Sequence, residues 1–166
     1  MDQDRITEVI NKAEITSIVN SYFRALDEKN FDAEHFASIF APQAEVIRPN
    51  GASMFGPEEV SRSHEKSFTR FEGSQHVVAG HDISLDGSTA NVRANLIAMH
   101  MWQGSHTDAN KLDNFFMAGG VIHATLTQSD GQWRISEMSN AVLWRAGGFR
   151  DVMQTGTVPK EAPHSA

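Results

Sequence analysis

The sequence predicts an α+β fold in which three N-terminal helices pack in the concave face of a strongly curved, mostly antiparallel sheet. Helical spacing of apolar residues is confined to the N-terminal part of the chain, and long strand-like segments follow it. Turn signals at Asp86-Gly87 and Asp130-Gly131 divide those segments into hairpins. Gly80, Gly119 and Gly120 lie within the strand segments, where bends and bulges favour glycine and would supply the curvature.

The three helices are predicted from apolar periodicity and end signals. The first spans Ile6–Leu26, with no Gly or Pro inside it, and Asp27 follows on the margin of the apolar stripe. The second runs from Asp32, a candidate N-cap, to Phe40. The third begins at Pro57, a residue favoured in the first helical turn, and ends near Phe71.

The strands are predicted from runs of apolar and β-branched residues between turns. A first strand ends at the turn Pro49–Gly51, and a polar loop over Gln103–Lys111 separates the two later hairpins. The predicted strands are Ala44–Arg48, Val77–Leu85, Ala90–Trp102, Phe115–Thr127 and Trp133–Trp144. Residues 1–146 are expected to form a single domain, and residues 147–166 a mobile tail.

Composition excludes several classes of function. Hydrophobic residues make up 40% of the 166-residue chain, and the formal net charge is −7, so attraction to nucleic acid or to an anionic membrane is not expected. Cysteine is absent, which excludes disulfides, thiolate metal sites and a cysteine nucleophile. The acidic start Met1–Arg5 lacks the pattern of a signal peptide, so a cytoplasmic location is expected.

Several motifs together resemble the NTF2-like superfamily. They are the segments Val19–Asp27, Phe36–Val46, Gly56–Val60 and Ser129–Ser136, and the resemblance spans residues 5 to 145. The chain is most similar to the SnoaL-like subgroup, whose members are small cone-shaped α+β domains and often dimeric. The resemblance therefore implies a cone with one pocket, but a fold shared by enzymes, binding modules and scaffolds does not fix an activity.

Within that superfamily, two residues match the pattern of scytalone dehydratase and lindane dehydrochlorinase. The resemblance implies that Asp27, late in the first helix, orients His76 on the strand after the third helix, and that His100 matches a second active-site histidine of the dehydratase. The chain departs from the pattern elsewhere. Tyr22 is the only tyrosine, and the arginine of the dehydrochlorinase falls near Gln128.

Two other enzyme patterns in the superfamily fit less well. Tyr22 resembles the oxyanion-stabilising tyrosine of ketosteroid isomerases, but Arg48 occupies the position of their aspartate base. An arginine stays protonated and cannot act as that base. Polyketide cyclases of the SnoaL group use an acidic residue, for which Asp27 or Glu137 would be available.

An Asp–His pair in an apolar pocket has the chemistry of a general base. The carboxylate fixes the imidazole tautomer and stabilises the imidazolium that forms. A lone histidine at the start of a strand is more often structural, and only the pairing of His76 with Asp27 favours catalysis. By strand alternation His81 should point to the opposite side, whereas His100 on an apolar face is either a pocket acid/base or a core residue. His123 is a further candidate for the pocket lining.

These observations favour a cofactor-independent lyase of the dehydratase type, acting on a small apolar or aromatic molecule, with Tyr22, Arg48, His100 and His123 as pocket residues. No His-x-His or His-Glu-x-x-His spacing predicts a metal site. The alternative is a non-catalytic small-molecule-binding protein or a polyketide cyclase-like accessory protein. Ile97, Met99, Met101 and Trp102 are assigned to the outer face of their strand, which predicts a homodimer through the outer sheet face.

Overall fold

The computed structural model describes residues 2–104 and 111–149. The helices are α1 (Gln3–Asp27), α2 (Ala33–Ile39) and α3 (Gly56–Phe68), with a short 3₁₀ turn at Leu112–Asn114. The strands are β1 (Phe40–Ile47), β2 (Ser53–Phe55), β3 (Phe71–Asp86), β4 (Thr89–Trp102), β5 (Phe115–Ser129) and β6 (Gln132–Gly147). Most of the predicted loop 103–111, and residues 150–166 of the predicted tail, lie outside the described part of the chain.

The strands form one curled, open sheet in the order β2-β1-β6-β5-β4-β3. The β1–β6 pair is parallel, and every other neighbouring pair in this part of the chain is antiparallel. Interruptions of register occur next to Gly80 in β3 and between Gly119 and Gly120 in β5. Such bulges increase local twist and bend the sheet, so the predicted α+β class with a mostly antiparallel, curved sheet is confirmed.

Helix α1 lies across the concave face of the sheet and supplies much of the core. Ile15, Val19, Phe23 and Leu26 recur at helical spacing and are buried, whereas residues near the N-terminus of the helix are exposed. The helix contacts β3 and β6. Its C-terminal half is therefore the anchored half, and it brings Asp27 to the wall of the concave face.

Helices α2 and α3 close the remaining side of the concave face. Asp32 caps α2 as predicted, its carboxylate accepting a hydrogen bond from the backbone N–H of His35 at 2.8 Å. Helix α3 ends at Phe68, three residues earlier than predicted. Phe71 instead opens β3, because it pairs with Trp102 of β4 and stacks within an aromatic cluster on the inner face.

Two expectations about side-chain direction are wrong. Gly80 has φ +66° and marks a bulge that shifts the alternation of β3, so His81 lies on the same inner side as His76. The His81 Nε2 atom is buried without a hydrogen-bond partner among the described residues. Trp102 is also on the inner face, 2% exposed, in phase with His100, and its indole N–H donates to the carbonyl of Gly148 at 2.9 Å.

The outer face of the sheet carries an apolar row that crosses four strands. Val77 pairs with Ile97, Ile97 with Gly119, and Gly119 with Trp144. The three large side chains of this row are exposed, and Leu143 beside them is exposed as well. We refer to Val77, Ile97, Leu143 and Trp144 as the outer apolar row.

Candidate active site

The helices and the inner face of the sheet enclose a cavity of about 320 Å³. Its wall is mostly apolar and aromatic, with a few polar side chains that point inward. A volume of this size suits a small organic molecule. Representative lining residues from the helices and the sheet are Phe23, Leu26, Phe68, Leu96, Phe116 and Val142.

Asp27 holds His76 by two hydrogen bonds. Its Oδ1 lies 2.6 Å from the His76 Nδ1, and its Oδ2 accepts the backbone N–H of His76 at 2.9 Å. The Asp27 side chain is 23% exposed and that of His76 5% exposed. Because the carboxylate binds both the ring and the backbone of one residue, it fixes the position of the imidazole and favours the tautomer protonated at Nδ1.

The His76 ring lines the cavity among other rings. The centroid of Phe23 is 5.4 Å away, that of His100 5.2 Å and that of Phe68 6.3 Å. In the described part of the chain the His76 Nε2 has no hydrogen-bond partner. With Nδ1 bound to a carboxylate, Nε2 carries the lone pair, so the arrangement can accept a proton from a molecule in the cavity.

His100 is a second buried histidine in the same wall. Its Nδ1 lies 2.8 Å from the Ser74 hydroxyl, and its ring stacks on Phe71 with centroids 4.5 Å apart. Burial lowers the pKa of His100 to about 3; the charge of Arg70 acts in the same direction, and that of Asp27 opposes it. This imidazole is therefore neutral at physiological pH and can contribute hydrogen bonds but not a positive charge.

Tyr22 contacts His64, a histidine that the sequence analysis does not place in the site. Its hydroxyl lies 2.8 Å from the Nε2 of His64, which α3 presents to the cavity. Burial raises the pKa of Tyr22 above its usual range, so the phenol stays protonated. Burial also lowers the pKa of His64 to about 3, with a smaller contribution from the charge of Arg48. Helical spacing from Val60 to Phe68 was the available signal for an inward-facing His64.

Arg48 follows the end of β1 and lines the cavity in a half-buried position. Its Nε donates to the Met54 sulfur at 3.3 Å, and its two terminal nitrogens donate to Ser67 at 3.2 Å and to Ser63 at 2.7 Å. No carboxylate of the described residues lies within ion-pair distance of this guanidinium. Arg48 therefore links the end of β1 to α3 through hydrogen bonds to neutral side chains.

His123 lies outside this cavity. It is exposed on the outer face of β5, because its neighbours Ile122 and Ala124 take the inward positions. The expectation that His123 lines the pocket is therefore wrong. Glu137, the second acidic candidate for a cyclase, is also exposed and pairs with Thr125.

Across residues 2–104 and 111–149, no group of three His, Asp or Glu side chains converges as metal ligands would. None of the helices in this part of the chain combines the length and the apolar character that crossing a bilayer requires.

Solved structures of similar fold include three with high coverage. The Kfla4162 protein from Kribbella flavida is 17% identical at a TM-score of 0.74, with 83% of this chain and 94% of that chain covered. A candidate scytalone dehydratase from Novosphingobium aromaticivorans is 20% identical at a TM-score of 0.71, with 87% of this chain and 95% of that chain covered. The hexachlorocyclohexane dehydrochlorinase LinA type 2 is 13% identical at a TM-score of 0.73, with 88% of this chain and 97% of that chain covered. Identities this low show the fold alone.

A comparison with curated proteins gives no match. The family profile described as the SnoaL-like domain matches residues 7–139, which is most of the chain and contains Asp27, His76 and His100. The structural neighbours have the NTF2-like fold predicted from the motifs. The chain therefore belongs to the SnoaL-like domain family.

Proposed function

We propose that the protein is a cofactor-independent lyase that removes a proton and a leaving group from adjacent carbons of a small, mainly apolar or aromatic molecule. The observation that carries the proposal is the double hydrogen bond from Asp27 to His76, beside a cavity that the His76 ring lines. Two structural neighbours are named as a dehydratase and a dehydrochlorinase, and both names describe eliminations.

In the proposed step, the Nε2 of His76 takes a proton from a substrate carbon. The electron pair of that C–H bond becomes the new C=C bond, and the leaving group departs with the electron pair of its own bond to carbon. Asp27 stabilises the imidazolium that forms, and the imidazolium then returns its proton to a leaving hydroxide or to water. Tyr22 or His100 would donate a hydrogen bond to negative charge that develops on the substrate.

The first test is turnover of scytalone, followed by loss of water, and of hexachlorocyclohexane, followed by release of chloride. If either is a substrate, His76→Ala and Asp27→Asn should each lower kcat/KM by about 10²–10⁴-fold, the range for general-base catalysis. His123→Ala is the matched control, because this histidine lies on the outer face, and it should leave turnover unchanged. Wild-type turnover in both the His76→Ala and the Asp27→Asn variant would refute the proposal, as would the absence of His76-dependent elimination across β-hydroxy and β-halo ring compounds.

A non-catalytic binding protein is the rival function. In that case His76→Ala would change only the affinity for a molecule in the cavity, and no elimination would depend on Asp27 and His76. The mostly apolar wall of the cavity is compatible with both functions.

We also propose that the outer apolar row mediates a homodimer. Val77, Ile97 and Trp144 are 53%, 44% and 45% exposed and adjacent across strands, a contiguous patch of the kind that marks interaction sites. Light scattering should give about twice the 18.3 kDa chain mass. Ile97→Lys should give a monomer, whereas Val9→Lys, at an exposed position on α1, should not. A monomeric wild-type protein would refute this proposal.

A further inference from the structure

The charged residues that line the cavity differ in sign from the chain as a whole. The protein carries a formal net charge of −7. Yet every charged residue that lines the cavity in the described part of the chain is an arginine: Arg48, Arg70 and Arg145. Asp27 stands behind His76 and is not part of the lining. A cleft lined by a single sign of charge attracts ligands of the opposite sign.

Arg48 has N–H donors that its hydrogen bonds within the described residues do not use. A guanidinium has five N–H donors, and those of Arg48 make three hydrogen bonds, to Met54, Ser63 and Ser67. All three acceptors are neutral, and no carboxylate among the described residues pairs with it. A half-buried guanidinium without a counter-ion is costly, because burial disfavours its charged form; this burial lowers the pKa of Arg48. An anionic oxygen group in the cavity would offset that cost.

Arg48 lies in the wall of the same cavity as His76, the proposed base. Arg48 is close enough to Tyr22 and His64 to influence the pKa of each, and all three line the same cavity as His76. The Phe68 ring lies near both histidines, with centroids 5.9 Å from His64 and 6.3 Å from His76. A molecule that packs against this ring would therefore lie near His76, with Arg48 in the wall of the same cavity.

We infer that the substrate is a small aromatic or alicyclic carboxylate, and that Arg48 binds its carboxylate while the ring lies against the apolar wall that leads to His76. The inference rests on the proposed function, since it names the substrate class for the same cavity. Arg48 acts here as a specificity-determining residue. The planar guanidinium matches a carboxylate in geometry as well as in charge.

The test compares two probes of equal size, 2-naphthoate and its neutral analogue 2-naphthamide, by isothermal titration calorimetry. The wild-type protein should bind the carboxylate at least about tenfold more tightly than the amide, as expected for a charge-assisted hydrogen bond. Arg48→Met should remove most of this preference. Arg62→Gln, at an exposed arginine of α3, is the matched control and should keep it.

A second variant separates binding from a purely structural role of Arg48. Ser63→Ala removes the shortest of the three hydrogen bonds that tie Arg48 to its surroundings but leaves the guanidinium in place. It should therefore retain the carboxylate preference. Equal binding of the two probes by the wild-type protein, failure of both to bind at millimolar concentration, or an unchanged preference in a folded Arg48→Met would each overturn the inference. The wild-type comparison alone remains decisive if Arg48→Met does not fold.

The outcome is independent of turnover. His76→Ala should keep the carboxylate preference, because the inference assigns that preference to Arg48. If no His76-dependent elimination is found but 2-naphthoate is still preferred, the proposed function fails and the anion site stands. If a neutral substrate is eliminated with dependence on His76 and 2-naphthoate is not preferred, the inference alone fails.

Discussion

Acidification should destabilise this protein through His64 and His100. Both imidazoles are buried in the cavity wall, 8% and 7% exposed, and burial is the main cause that lowers each pKa from 6.5 to about 3. Between these two values an unfolded chain binds a proton at each histidine and the folded chain does not. The free energy of unfolding therefore decreases as the pH falls through 6.5, and it continues to decrease until the pH nears 3.

The size of this effect follows from proton linkage. Each group contributes about 1.4 kcal/mol per pH unit once its unfolded form is protonated. When the pH falls from about 7 to about 5, the free energy of unfolding therefore decreases by about 2 kcal/mol for each histidine and about 4 kcal/mol for the pair. The loss is a large fraction of the ordinary stability of a domain, about 5–15 kcal/mol.

Urea unfolding at a series of pH values, followed by tryptophan fluorescence, measures this dependence. His64→Gln and His100→Gln should each remove about half of the stability change assigned to the pair, whatever their effect on absolute stability. Ser74→Ala is the matched control, because it removes the hydroxyl partner of His100 but keeps the titrating ring. If both histidine variants show the wild-type pH dependence, the assignment of the buried neutral imidazoles is refuted.

Substitutions at three further positions test the fold by urea unfolding. Phe36→Ala removes a fully buried ring and should cost about 3–5 kcal/mol; a loss below about 1 kcal/mol would contradict its place in the core. Asp32→Ala removes the cap on the His35 N–H and should cost about 1 kcal/mol, whereas Asp32→Ser should restore most of it. Gly119→Ala would place a Cβ 2.0 Å from the Trp144 ring, so it should cost about 1–3 kcal/mol and shift the tryptophan emission; an unchanged spectrum would count against that packing.

Most of the architecture could be predicted because it depends on local patterns. Helical spacing located α1 within three residues at its start, and Asp32 was identified as a cap. Two Asp-Gly turns correctly divided the hairpins. The strand β2 was missed because three residues carry no periodicity of their own, and Ser53–Phe55 is a strand only through its pairing with β1.

The direction of side chains was harder to predict than the elements that carry them. A single bulge at Gly80 reversed the alternation of β3 and turned His81 inward. His123 was considered for the pocket because strand alternation leaves two faces and does not by itself say which one meets the helices. Its exposure follows from the burial of Ile122 and Ala124, which is a property of the assembled sheet.

The candidate site was predictable in part. The contact of Asp27 with His76 joins residues far apart in the sequence, and it was expected only from the family resemblance. His64 and Ser74 were missed. Their hydrogen-bond partners, Tyr22 and His100, lie on other elements, so no pattern within one element predicts these contacts. Among the described residues, arginine alone charges the cavity lining; this too depends on tertiary packing and is not visible in a chain with a net charge of −7.

The most direct measurement of the central claim is the tautomer of His76, determined from the ¹⁵N shifts of its ring by two-dimensional NMR at mildly alkaline pH. The Asp27 carboxylate lies 2.6 Å from Nδ1, so the proton should reside on Nδ1 and the lone pair on Nε2. Asp27→Ala should abolish this preference. A wild-type ring protonated at Nε2 would contradict the account, since His76 could not then act as the proposed general base.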